Sequence, residues 1–189
     1  RITVERGDAQ SPILAYAFHS GIGAGSKDYP ALELLATILA RGDSSRLHQR
    51  LVEREQAAVG AGAFAEAGFD PGLLWVYAML PPGGDLAKAE ALLDEELAKI
   101  ARDGVTAAEL DKARNLKLSA FWRGMATING KARALGTAEV FEGDYRKAFE
   151  EPAAFEAVTA AQVQALAAKI LRRQNRTTGL LQPVAAPAA

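Results

Sequence analysis

The side chains that could do chemistry are few, and their spacing argues against most of it. His19 and His48 are the two histidines, 29 residues apart. A zinc site takes three or four ligands, with a close pair on one helix as in His-Glu-x-x-His. That spacing is missing, so neither histidine reads as a metal ligand, and His48 reads as a helix-surface residue. Gly21, Gly23 and Gly25 invite a phosphate-loop reading. A Walker loop needs G-x-x-x-x-G-K-[ST], but Lys27 follows Ser26 and Asp28 takes the hydroxyl position. A dinucleotide loop needs a third glycine or an alanine where Ser26 stands, with a βαβ unit behind it. The segment reads as a flexible strand-to-helix loop. Ser45 and His48, at i and i+3, could touch, but no carboxylate is placed to orient the pair for nucleophilic work. Arg41-Gly42-Asp43 matches an adhesion tripeptide and Asn175-Arg176-Thr177 a glycosylation sequon, by pattern only. Glu90, Asp94, Glu95, Glu96, Glu109 and Asp111 fall on or near polar helix faces beside Lys and Arg, as solvated faces do. On residue chemistry alone the chain holds no catalytic, cofactor-binding or metal-ligating residue.

Composition narrows the class. With 189 residues, 49% apolar and 24% charged, the chain is large enough for one domain with a sizeable core. A formal net charge of −1 gives no electrostatic case for nucleic acid or an anionic membrane. There is no cysteine, which excludes disulfides and thiolate metal sites. No apolar run reaches the roughly 20 residues that span a bilayer. The chain begins at Arg1, without an initiator Met or signal peptide, as a fragment or a processed chain would.

The elements follow from periodicity. Leu32, Leu35, Ala36 and Leu39 repeat at i, i+3, i+4, i+7, the buried face of a helix that Gly42 ends. Asp43 or Ser44 is placed to cap a second helix, whose stripe is Leu47 and Leu51. Val59, Ala61 and Ala63 then alternate as a strand. Ile2 to Glu5 and Ile13 to His19 are earlier strands. Leu73 to Leu80 is apolar on both faces and predicts a central strand covered on both sides. Phe69-Asp70-Pro71-Gly72 joins it to the preceding strand as an antiparallel hairpin. Leu86, Ala89, Leu93, Leu97 and Ile100 form the stripe of the next helix, up to Gly104. Thr106-Ala-Ala-Glu109 is a capping box that opens a long helix with Leu118, Phe121, Trp122, Met125 and Ile128 along one side, interrupted at Gly130. Lys131 to Phe141 continues as a shorter helix. Thr159-Ala-Ala-Gln162 opens another, and Arg176 to Gln182 is a closing strand. The order predicts an α+β domain over residues 1–183, with an antiparallel-rich sheet and helices packed mainly on one face, and an Ala/Pro tail over 184–189 that is disordered.

Four stretches carry a resemblance, in order and at the right spacing. Leu39-Ala40-Arg41-Gly42-Asp43-Ser44-Ser45-Arg46-Leu47, with Leu51 and Glu53 behind it, resembles the L-G-x-G-x-S-S-R-L-x-x-x-L-x-E signature of the peptidase M16 family (pitrilysin, insulin-degrading enzyme and mitochondrial processing peptidase). Gly104-Val105-Thr106-x-x-Glu109-Leu110-x-x-Ala113-Arg114 resembles the family's G-V-T-x-x-E-L-x-x-A-K/R helix start. Val158-Thr159-Ala160-x-Gln162-Val163-x-x-Leu166-Ala167 resembles its V-T-x-x-D-V-x-x-V-A segment, and Leu180-Leu181-Gln182-Pro183 its closing strand.

The resemblance implies a lobe of the family's repeated α/β fold, and the match is to the second, zinc-free lobe. Zinc, held by His-x-x-Glu-His and a later Glu, would then belong to an upstream lobe of the same protein, with no cofactor in this chain. The implied partners are that zinc lobe, a second M16 subunit in a homo- or heterodimer, and an unfolded peptide substrate; nucleic acid and membrane are not implied. One departure matters. Zinc-free lobes that touch substrate carry an Arg and a Tyr seven residues apart, and Val52 and Val59 stand at those positions here. That pattern resembles the second lobe of a zinc-bearing, M16B-type subunit, the alternative being an inactive scaffold subunit of the same fold. Bacterial relatives occur in periplasm and cytoplasm, so the resemblance leaves the compartment open.

Overall fold

The computed structural model describes residues 1–6, 9–66 and 68–183. Alternating apolar residues build five strands: β1 (Ile2–Arg6), β2 (Ile13–His19), β3 (Gly60–Ala65), β4 (Leu73–Met79) and β5 (Arg176–Pro183). They form one sheet in the order β1-β5-β2-β4-β3. The β1–β5 pair is parallel and the other three pairs are antiparallel. The closing strand therefore enters the middle of the sheet, between β1 and β2. Six α-helices follow the strands or separate them: α1 (Tyr29–Ala40), α2 (Leu86–Asp103), α3 (Ala107–Met125), α4 (Ile128–Glu142), α5 (Glu151–Ala157) and α6 (Ala160–Ile170). This is the antiparallel-rich α+β fold the element order predicts.

The core lies on one side of the sheet. Leu14, Tyr16 and Phe18 of β2 and Leu74, Val76 and Ala78 of β4 point into it. They meet Leu32, Leu35 and Leu39 of α1, Leu93, Leu97 and Ile100 of α2, and Val163, Ala167 and Ile170 of α6, all buried. Each such aliphatic side chain contributes about 1.5–3 kcal/mol by leaving water.

Four expectations need correction. β4 is covered on one face only: Leu74, Val76 and Ala78 are buried, while Leu73, Trp75 and Tyr77 are half-buried and Met79 is exposed. Its unbroken apolar run reflects a second face that no helix among the described residues covers. The second helix is a π-helix, His48–Arg54, with the Glu55 N–H donating to the Arg50 carbonyl (3.2 Å). The long helix ends at Met125, short of Gly130. Thr127 makes the break: its hydroxyl donates to the Gly124 carbonyl and accepts from the Gly130 N–H, both at 3.0 Å, and so caps α4. In consequence Trp122 and Ile128 point outward, Ile128 being 89% exposed. Finally, α5 and the 3-10 turn Tyr145–Phe149 fill a stretch to which the periodicity assigns no element. The Ala/Pro tail, 184–189, lies outside the described residues.

Candidate functional site

The two helical starts that stood out in the sequence meet in space. Ser44 and Ser45 lie in the turn after α1, and Gly42 adopts φ +80, a conformation that favours glycine. The turn closes by a bond from the Ser45 N–H to the Gly42 carbonyl (2.9 Å). The expected cap by Asp43 or Ser44 does not form: the Ser44 hydroxyl takes a hydrogen bond from Lys112 Nζ, and no side chain caps the π-helix. The turn sends Arg46 toward the start of α3. There its guanidinium grips Glu109 with two bonds, Nε–Oε1 at 2.6 Å and Nη2–Oε2 at 2.9 Å, and Nη2 also donates to the Gly104 carbonyl at 2.9 Å. Glu109 is at once the capping-box residue of α3, accepting from the Thr106 N–H at 2.8 Å. Arg46, with the Thr106 bonds in support, holds the Glu109 carboxyl down at about 2. Glu109 is therefore a clamp between elements rather than a solvated charge.

A second partly buried charge pair was equally hidden. Asp94 of α2 pairs with Arg176 at the start of β5, and the Arg176 guanidinium lies 3.8 Å from the Tyr16 ring centroid. Burial, reinforced by Asp94, pushes the Tyr16 hydroxyl pKa up. Nothing in a sequence read by periodicity links residues 16, 94 and 176, because three separate elements supply them.

The remaining candidates are dispersed. His48 Nε2 lies 3.1 Å from Glu53 Oε1, while the Ser45 hydroxyl is buried with no partner, so the two do not form a couple. His19 ends β2, and its carbonyl accepts from Asn175 Nδ2, which also donates to the Ile170 carbonyl (both 2.9 Å). The sequon asparagine is thus engaged in joining α6 to the sheet. The glycine segment is the loop between β2 and α1, and backbone hydrogen bonds tie it to the hairpin. Ala24 N–H donates to the Gly68 carbonyl, Gly72 N–H to that of Ile22, and Ser20 N–H to that of Gly72. It extends the β2–β4 ladder past the hairpin. Gly23 allows the close approach there, since a Cβ would lie 3.1 Å from the Phe69 carbonyl oxygen and press on it.

Among the described residues no group of three or more His, Cys, Asp or Glu could hold a metal ion. The donors present do not fit zinc, since His19 and His48 belong to different elements and His48 is tied to Glu53. No helix among the described residues is long and apolar enough to cross a membrane. Val52 sits half-buried on the π-helix and Val59, 58% exposed, leads into β3 with its N–H on the Met79 carbonyl (2.8 Å). Neither offers a polar group to a substrate.

What the chain does present is a bare sheet face. The register places Ile2 and Val4 of β1, Leu181 of β5, Ile13 of β2, Trp75, Tyr77 and Met79 of β4, and Phe64 of β3 on the side away from the helices. Phe64 is 48% exposed and stacks on Trp75, with centroids 6.2 Å apart. Tyr77 covers Gly62 so closely that a Cβ there would collide with its ring. An exposed apolar face of this kind marks a contact surface.

Comparison with known proteins agrees with this picture. A family model described as the peptidase M16 inactive domain matches residues 1–117. The chain is similar to an uncharacterized zinc protease of Mycobacterium leprae, 33% identical over 144 residues, covering 76% of this chain and 32% of the relative. An uncharacterized zinc protease of Mycobacterium tuberculosis is 29% identical over 176 residues, covering 92% of this chain and 39% of the relative. The chain thus spans well under half the length of these curated relatives. Among solved structures, the inactive peptidase domain of a candidate zinc protease from Bordetella parapertussis superposes with a TM-score of 0.84 at 34% identity, over 98% of this chain and 99% of that one. A protease from Helicobacter pylori shares the fold, with a TM-score of 0.86 at 20% identity over 96% of this chain and 43% of that one.

Proposed function

Because the chain belongs to the peptidase M16 family, as its inactive domain, we propose that it is the non-catalytic C-terminal lobe of a zinc-dependent peptidase. In this reading the zinc and its ligands lie upstream, in a lobe of the same protein. No residue of this chain cleaves a bond, and it forms one 1–183 domain. It completes the wall of a chamber that admits unfolded peptides, and it contributes to a subunit interface. The observation that carries the reading is the bare apolar sheet face, which a chamber wall needs and an independent domain does not. Unfolded peptide would add as an extended strand to the zinc lobe, a mode that reads backbone more than sequence.

Val52 and Val59 favour two subunit types over a third. They fit the zinc subunit's own second lobe, or an inactive scaffold subunit, and do not fit the subunit that supplies Arg and Tyr to substrate. The deciding experiment uses the protein that includes the coding region upstream of Arg1. Its zinc content and its cleavage of an unfolded peptide are measured beside those of the 189-residue chain. The expected result is about one zinc per whole protein with peptidase activity, alone or with a partner subunit, and neither zinc nor activity in the 189-residue chain. A whole protein without zinc makes it a scaffold. Zinc bound stoichiometrically by the 189-residue chain alone refutes the assignment.

A further inference from the structure

Within Ser44-Ser45-Arg46 the two outer residues reach α3 directly, Ser44 through Lys112 and Arg46 through Glu109. The middle residue does not. Ser45 is only 3% exposed, and its hydroxyl has no hydrogen-bond partner among the described residues. A buried hydroxyl left in that condition keeps its desolvation cost without a compensating bond, and native chains rarely leave one so.

A cavity of about 20 Å³ adjoins it, between the end of α1, the turn and the first part of α3. One water needs roughly 10–15 Å³ of such space and roughly two to four polar partners. The lining supplies them. Thr37 Oγ1 donates to the Glu33 carbonyl at 2.8 Å, which leaves its lone pairs able to accept. Ser44 Oγ accepts from Lys112 Nζ and keeps its own proton to give, and the ammonium has two further N–H groups. The Glu109 carboxylate, already gripped by Arg46, lies on the same wall. The rest of the lining is aliphatic.

Size and charge together select the occupant. Lys112 opposes a second cation, and Glu109 opposes an anion. An apolar group would leave the Ser45 hydroxyl unpaired. What remains is a neutral molecule of one heavy atom that both donates and accepts. We propose that the cavity binds one ordered water, which pairs the Ser45 hydroxyl and joins the turn after α1 to α3. All three residues of the Ser-Ser-Arg stretch then tie that turn to α3: Ser44 through an ammonium, Ser45 through water, Arg46 through a carboxylate. The inference is independent of the peptidase reading, because it needs only the folded chain.

The test is a high-resolution crystal structure of the 189-residue chain, with thermal unfolding of Ser45→Ala beside wild type. The structure shows one water within hydrogen-bond distance of Ser45 Oγ and of at least one other lining group. Ser45→Ala keeps the space and removes the partner, so its Tm falls by about 2–4 °C. A dry cavity reverses the sign: deleting an orphaned hydroxyl removes its desolvation cost, and Tm holds or rises. Absence of water density at the site, or a Ser45→Ala chain at least as stable as wild type, overturns the proposal. So does an anomalous peak at the site in a crystal soaked with bromide, since the occupant is then an anion. If Ser45→Ala does not fold, the wild-type density decides the matter, as it needs no variant.

Discussion

The Arg46 guanidinium gives two N–H groups to Glu109 and one more bond to the Gly104 carbonyl, from a side chain only 15% exposed. Its removal leaves Glu109 half-covered with only its Thr106 bonds, and it opens the contact between the α1 turn and the α2–α3 corner. Arg46→Ala is expected to lower stability by about 2 kcal/mol, since a carboxylate that loses its charged partner keeps its desolvation cost. In a chain of this size that lowers Tm by roughly 4–8 °C. Acid should reproduce part of the loss. Glu109 titrates at about 2 in the folded chain against an ordinary value of 4.5, so it binds a proton more readily when unfolded. Its contribution is complete above about pH 4.5 and disappears as pH falls toward 2, on the order of 2–3 kcal/mol. Urea unfolding at pH 7 and pH 3 checks both points: wild type should lose more stability than Arg46→Ala between the two, and equal losses would show that the clamp does not set the Glu109 proton affinity.

At the scale of elements, legibility followed local chemistry. Thr106 and Thr159 open helices because each capping box is complete within four residues, and both boxes are closed in the structure. The strands were readable from alternation, and glycine and proline marked the hairpin. The π-helix was not readable, because Leu47 and Leu51 lie on one face of an α-helix as well. The α3–α4 corner was misplaced for a physical reason. Gly130 looked like an interruption, yet it is a helical residue whose hydrogen stands where a Cβ would collide with the Gly124 carbonyl. The true break, Thr127, was indistinguishable from any exposed threonine. The partly buried pairs Arg46–Glu109 and Arg176–Asp94 were out of reach, since each joins residues more than 60 positions apart. Gly130→Ala is therefore expected to separate the α3 end from the α4 start and to cost roughly 2 kcal/mol or more, beyond the gain in helix propensity. Gly136→Ala, which meets nothing, supplies the control, with a gain of up to about 1 kcal/mol from helix propensity alone. Equal Tm values for the two variants would show that the corner tolerates the added methyl.

For the whole molecule, the asymmetry between the two sides of the sheet is the feature that a single folded lobe does not explain. Helices α1, α2 and α6 bury one side, while the other leaves Phe64 and Met79 about half in water and holds Trp75 and Tyr77 only partly covered. If that side lines a chamber closed by another lobe, it should be wet but enclosed: open to an extended peptide, hidden from a large partner. Phe64→Asp and Met79→Asp place charge on that wall without entering the core, so the chain should still fold, at a cost of about 1–2 kcal/mol from the lost Phe64–Trp75 stack and strand propensity. In the whole protein the pair should lower kcat/KM for an apolar unfolded peptide by roughly tenfold, equivalent to about 1.4 kcal/mol, with zinc content unaltered. A hydrophobic dye such as ANS gives the matching physical readout. It should bind the 189-residue chain strongly, the variant weakly, and compete with the peptide in the whole protein. If the variant cleaves as well as wild type while its dye binding falls, the face serves contact between lobes rather than contact with substrate, and the chamber wall must be sought on the edges of the sheet instead.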